Sequence, residues 1–216
     1  MDVCGTLVRD DTTLGLLRHH LALAPNRRIR YALFRAMTAR HSPVRLGFAI
    51  LERLAGRHML KHIAVKLLAG DSAEEVARSA AQYAAFLLKE RRVSSVWSLI
   101  ESAMHTGRVV LASASLEPIV ACLAAELGAR HVASQLEQQD GVLTGRYAED
   151  LTGQKERAMR DKYGASILAS RICAISDNLS DRALLEQASL AYVVLHRPEH
   201  RRRWEGIVAT FLDVDG

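Results

Sequence analysis

The feature that most limits the fold is a change of hydrophobic rhythm near residue 107. From Asp11 to about Thr106, apolar residues recur only at helical spacing. Thr12 and Thr13 are placed to cap a helix reaching about Ala22, and Pro25-Asn26 opens another carrying Ile29, Leu33, Phe34 and Met37. Ser42-Pro43 breaks the chain, and Leu46, Ile50, Leu51 and Leu54 continue at helical spacing up to Gly70. Asp71-Ser72 begins a helix through Val76, Ala80, Tyr83 and Leu87, with Glu74 and Glu75 at its positive end. After Gly107 short apolar runs take over: Val109–Ala112, His131–Ala133, Ile172–Ile175 and Ala191–Leu195. Helix patterns separate them, at Glu117–Leu127 and Gln154–Tyr163, and Asp140-Gly141 is a hairpin signal. Such alternation specifies a parallel α/β sheet. The expected organisation is an α/β core from residues 1–9 and 107–216, with an all-helical insertion at 10–106.

Length and composition narrow the function classes. At ~150 residues per domain, 216 residues make one large domain or one domain with an insertion. The chain is 49% hydrophobic and 25% charged, so disorder and repeat fibres are excluded. No spanning helix and no signal peptide is read from the sequence. Three widely spaced cysteines, Cys4, Cys122 and Cys173, argue against a disulfide framework and suit a reducing cytoplasm. Cys122 and Cys173 are expected in the core. The net charge of +5 is uneven: residues 1–100 hold 16 Lys/Arg against 8 Asp/Glu. A basic half attracts anions. With only 5% aromatic residues there is little to stack on bases, and no nucleic-acid motif is present, so nucleic acid is not the expected partner.

In open parallel sheets, ligands bind beyond the carboxyl ends of the strands. Asp2 follows Met1, Ser113 follows Val109–Ala112, Asp177 and Asp181 follow Ile172–Ile175, and Lys155 heads a helix. Carboxylates, a hydroxyl and a lysine at one sheet edge suit Mg²⁺-assisted phosphoryl transfer. Hard oxygens hold the metal, a carboxylate attacks, and lysine and hydroxyl neutralise the transferring group.

These residues, in this order, resemble the four motifs of the haloacid dehalogenase superfamily. Asp2-Val3-Cys4-Gly5-Thr6-Leu7 is similar to Asp-x-Asp-Gly-Thr-Leu, Ser113 matches the second motif, Lys155 the third, and Asp177 with Asp181 the fourth. Leu111–Pro118 and Asp140–Gly145 followed by Lys155 resemble the phosphoserine-phosphatase-like subgroup, which carries a helical C1-type cap. The resemblance implies a three-layer Rossmann-like core. It also implies an aspartyl-phosphate on Asp2, with Mg²⁺ held by Asp2, the Cys4 carbonyl and Asp177, and with Asp181 supporting the metal. Ser113, the Ala114 amide and Lys155 would hold the phosphate. The implied activity is a phosphomonoesterase on a small-molecule or lipid-linked substrate.

Two departures from the family pattern stand out. Cys4 occupies the place of the acid–base Asp, a group worth about 10²–10⁴ in rate. Cys4 is the candidate acid–base in its place, and the alternatives it would suit are a phosphonate- or acyl-phosphate-type hydrolase and a catalytically weak phosphate-binding homologue. The first core strand is reduced to Met1, and an in-frame apolar segment upstream is expected. Four other features are read blandly. His58 and His62 lack a third metal ligand, Asp10-Asp11 precedes and caps the first helix, and Arg201–Arg203 is a solvated helix start. Phe211–Gly216 imitates the first motif by coincidence. The basic stretch Arg27–Arg35 is an amphipathic helix that could lie on an acidic membrane surface, so peripheral membrane contact joins the phosphorylated substrate among the expected partners.

Overall fold

A computed structural model describes residues 1–39, 42–47, 59–104, 109–164, 167 and 171–214. Ile50, Leu51, Leu54, His58 and the 106/107 boundary lie outside them. The first half is helical: α1 (Thr12–Ala22), α2 (Arg28–Thr38), α3 (Met59–Val65), α4 (Ala73–Glu90) and α5 (Ser94–Ile100). The second half alternates: β1 (Val110–Leu116), α6 (Glu117–Glu126), β2 (Arg130–Gln139), β3 (Val142–Glu149), α7 (Lys155–Tyr163), β4 (Cys173–Ser176), α8 (Arg182–Gln187), β5 (Leu190–Leu195) and β6 (Thr210–Asp213). This is a Rossmann-like α/β fold with added helices.

Local chemistry explains the boundaries. The Asp11 carboxylate, rather than Thr12 or Thr13, accepts from Leu14 N and caps α1. Pro25 opens a 3₁₀ turn that leads into α2. Asp140 and Gly141 both have positive φ, 50° and 78°, as a type I′ turn requires, and they join β2 to β3 as an antiparallel hairpin. The short run expected at His131–Ala133 is the inner end of a longer β2, whose inner end pairs with β1 and whose outer end pairs with β3.

The strands fall into two three-stranded sheets, β1-β2-β3 and β4-β5-β6. All pairs but the hairpin are parallel. The chain start lies between the sheets. Met1 N donates to Val110 O and Met1 O accepts from Ala112 N (both 2.9 Å), while Asp2 N donates to Ile175 O (3.0 Å). One short extended segment therefore bridges β1 and β4. A groove of about 820 Å³ runs beside it, lined by Met1, Val110 and Cys173 among others.

The helices do not form a separate core. Leu16, Leu17, Ala80 and Leu87 share one buried cluster with Leu111, Ile119 and Leu123. Burying that many Leu and Ile side chains, at ~1.5–3 kcal/mol each, is what fixes the helices over the sheet. Tyr83 Oη fills the space beside Gly15, where a Cβ would come within 1.9 Å of it.

Several expectations are corrected. Cys173 is exposed and Cys122 only half-buried; Cys173 begins β4 where that strand borders the open groove. Arg201–Arg203 end a 3₁₀ helix, Pro198–Trp204, rather than begin a helix, and Arg201 packs over the Phe211 ring at 4.4 Å. Phe211-Leu212-Asp213 resembles a motif strand because it is a strand, the edge partner of β5. His62 pairs with Asp150 at 2.9 Å.

Candidate active site

The turn after Asp2 shapes the site. Gly5 has φ +71°, and a Cβ there would fall 2.1 Å from Asp177 Oδ2 and 2.9 Å from His196 Nε2. Only glycine lets the 175–178 and 195–196 segments approach so closely. Thr6 secures the contact from both sides: its hydroxyl donates to Asp177 Oδ1 and accepts from Asp177 N, each at 3.0 Å.

Asp2 is buried, and Val3 N donates to its Oδ1 at 2.7 Å. Lys155, the first residue of α7, reaches the same oxygen at 2.9 Å and Asp181 Oδ2 at 2.7 Å. Ser176 Oγ donates to Asp181 Oδ2, also at 2.7 Å. A buried chain Asp2–Lys155–Asp181–Ser176 thus ties α7 and β4 to the chain start. Burial pushes the Asp2 carboxyl above its usual range, while Lys155 draws it back. Burial likewise disfavours the Lys155 charge, yet Asp2 and Asp181 outweigh it and hold the ammonium above the ordinary lysine value.

Asp2 and Asp177 border one cavity of about 530 Å³, together with Cys4, Gly5, Arg9, Asp11 and His196. Their carboxylate oxygens are the hard donors that Mg²⁺ takes, so the donor chemistry fits that ion. Among the described residues no three His, Cys, Asp or Glu side chains gather as a metal site. Asp2, Cys4 and Asp177 all border the cavity, as do Asp10 and Asp11. Asp181 is not among the residues lining the cavity; its contacts run to Lys155 and Ser176.

Ser113 is buried and its Oγ accepts from Ser115 N at 3.2 Å. The bond from Ala112 N to Met1 O sets Ser113 and Asp2 at the same end of adjacent parallel segments. Ala114 O accepts from Ser134 Oγ at 3.0 Å. The Cys4 thiol lies 2.9 Å from both Thr12 Oγ1 and Ser115 Oγ, and Thr12 N donates to it at 3.3 Å. Burial first, then the Asp11 carboxylate, pushes the thiol up, so it stays protonated at neutral pH.

His196 was not among the residues expected here. Its Nε2 lies 3.2 Å from Asp177 Oδ2, and that bond raises the imidazole above its ordinary value, against burial. The signal was present: His196 directly follows the apolar run Ala191–Leu195, and the strand-end rule applies to β5 as to the others. Lys61, which pairs with Asp11 at 3.2 Å, carries no local pattern at all.

A search of curated protein sequences finds no match. Among solved structures, a protein of unknown function from Bordetella pertussis Tohama I is 18% identical, with TM-score 0.67 over 97% of this chain and 95% of that one. A phosphoserine phosphatase in apo form is 16% identical, with TM-score 0.62 over 99% of this chain and 92% of that one. Cytosolic 5′-nucleotidase IIIB bound to cytidine is 14% identical, with TM-score 0.61 over 99% and 79%. At these identities the likeness is one of fold. The model of the haloacid dehalogenase-like hydrolases matches residues 1–186, and the chain belongs to that family.

Proposed function

We propose that the protein is a Mg²⁺-dependent phosphatase that hydrolyses a small-molecule or lipid-linked phosphomonoester through phosphoryl transfer to Asp2. The observation that carries this reading is the buried Asp2 carboxylate at the cavity wall, held by Val3 N and Lys155. An Asp2 oxygen attacks phosphorus as the bond to the leaving oxygen breaks, and the departing alkoxide takes a proton from the Cys4 thiol or from water. Water then attacks the phosphorus of the aspartyl-phosphate, releasing inorganic phosphate and regenerating the carboxylate. Lys155 fixes the attacking group and balances charge on the phosphoryl oxygens, and the Ser113 hydroxyl and Ala114 amide would hold the same oxygens. Asp181 holds Lys155 in place. Mg²⁺, when bound by Asp2, Asp177 and the Cys4 carbonyl, supplies further neutralisation of the transferring group.

Cys4 supports a second reading. A thiol held protonated can donate to a departing oxygen but is a poor base for the water step. Substrates whose leaving group needs no proton, such as acyl phosphates or phosphonates, would suffer least.

Both readings are tested by Mg²⁺-dependent release from an aryl and an alkyl phosphate. Asp2→Asn should abolish turnover of both. Cys4→Asp should raise alkyl phosphate cleavage by about 10²–10⁴ if a positioned acid is what the protein lacks. Undiminished activity in Asp2→Asn would overturn the nucleophile, and no turnover of either substrate would favour a phosphate-binding protein.

A further inference from the structure

The outer face of α2 has an unusual makeup. Arg28, Ile29, Ala32, Leu33, Arg35 and Ala36 all face water. Ile29 is 78% and Leu33 52% exposed, although they stand one helical turn apart and form a single ridge. The opposite face is already satisfied: Phe34 is buried, and Arg30 reaches Asp71 at 2.8 and 2.9 Å. The helix is thus apolar on two sides, and only one side packs on the protein.

The patch extends beyond α2. Arg45 donates to Thr38 O at 3.0 Å, which seats residues 43–47 against the end of the helix. There Val44 and Leu46 are 45% and 63% exposed. Charge follows the same pattern. Residues 12–51 contain seven arginines and no Asp or Glu. Arg27 and Arg30 are neutralised by Asp71 and Glu75 from outside that stretch. Neither Arg28 nor Arg35 has an ion-pair partner among the described residues.

We propose that this face, Ile29 and Leu33 flanked by Arg28 and Arg35 and continued by Val44 and Leu46, docks on an anionic lipid bilayer. Its aliphatic ridge would enter the headgroup boundary while the arginines meet lipid phosphates and carboxylates. Charge complementarity selects this occupant. A second copy would bring arginines against arginines, with no acid among the described residues of the face to offset them. A nucleic acid would meet the arginines but leave the ridge without an apolar surface to cover it. No helix among the described residues is long and apolar enough to cross a membrane, so the contact is one of lying on the surface.

The test is vesicle flotation of the full chain. Vesicles of phosphatidylcholine alone are compared with vesicles containing about one-third phosphatidylserine. The wild type should bind the anionic vesicles at least about tenfold more tightly, and added salt should weaken the binding. Ile29→Ser with Leu33→Ser, which leaves charge unchanged, should lower it about tenfold. Arg28→Gln with Arg35→Gln should remove the preference for phosphatidylserine. All four positions are exposed, and unchanged circular dichroism checks folding. Equal binding to both vesicle types would overturn the proposal. So would no loss in the Ile29/Leu33 variant, a dimer that this variant abolishes without any vesicle binding, or RNA binding that survives it while vesicles are ignored.

Discussion

Lys155→Met tests the structural centre of the site, because the lysine ammonium lies between two carboxylates that are 5% and 6% exposed. Removing one partner of a buried ion pair costs about 3–5 kcal/mol. The lower figure is expected here, since burial already favours the protonated form of Asp2, which can take up a proton instead of staying charged. The sign follows from linkage. Burial already holds the folded Asp2 carboxyl above its ordinary range, and loss of the lysine raises it further, so the variant is penalised progressively as pH rises above the unfolded carboxyl value. Urea unfolding followed by circular dichroism should give a deficit of about 3 kcal/mol at pH ~7.5 and a smaller one at pH ~4.5. Thermal unfolding at the higher pH should fall by about 6–12 °C, at ~2–4 °C per kcal/mol. Adding Asp181→Asn should recover part of the deficit at pH ~7.5, because one of the two unpaired carboxylates is then gone. A deficit equal at both pH values, or below ~1 kcal/mol at the higher one, would refute the buried-charge argument.

Two further outcomes follow from the packing. Asp71→Ala removes the acceptor shared by His20, Arg27 and Arg30 and should cost about 3–5 kcal/mol in urea unfolding at neutral pH. Burial opposes the Asp71 charge, but Arg30 and Arg27 outweigh it and hold the carboxyl below its ordinary value. The stabilisation is therefore complete above pH ~5, and the gap to the variant should narrow as pH falls below ~4. Gly5→Ala should cost at least about 1–2 kcal/mol for the left-handed backbone alone. It should also lower phosphatase turnover by about 10²-fold, because the methyl group displaces Asp177; wild-type stability and turnover would refute the close approach.

What the sequence disclosed and what it hid divide along range. Asp2, Lys155 and Asp177 were legible because each follows a strand or opens a helix, and strand ends in a parallel sheet converge by topology. Ser113 was legible for the same reason, although β1 runs on to Leu116 and places it inside the strand. His196 obeys the same rule and was readable in principle. The hub at Asp71 was not. Read locally, Asp71-Ser72 starts a helix, and α4 does begin at Ala73. Its buried role depends on His20, Arg27 and Arg30, at separations of 51, 44 and 41 residues, and no periodic pattern links them. The same limit hid Lys61 beside Asp11 and misplaced Cys173. An apolar run marks a strand, but its exposure depends on which neighbour lies across from it.

Cys4 shows how far the surroundings of a residue can outlast its chemistry. Its thiol accepts from Thr12 N and touches two hydroxyls, at Thr12 and Ser115. These three polar partners suit an oxygen acceptor better than sulfur, which bonds weakly. A carboxylate placed there finds donors ready, and hydrogen bonds to its charged form offset the burial that opposes it. Cys4→Asp should therefore fold with Tm within about 4 °C of wild type, equivalent to roughly 1–2 kcal/mol. Cys4→Leu has similar bulk and no acceptor, leaves Thr12 N unpaired in the interior, and should cost about 1–3 kcal/mol for that group alone. The order wild type, then Asp, then Leu is the signature of a site still shaped for an acid. Leu at least as stable as Asp, in thermal unfolding at pH ~7.5, would mean that the surroundings of Cys4 have been rebuilt around the thiol and that the missing acid cannot be restored by one substitution.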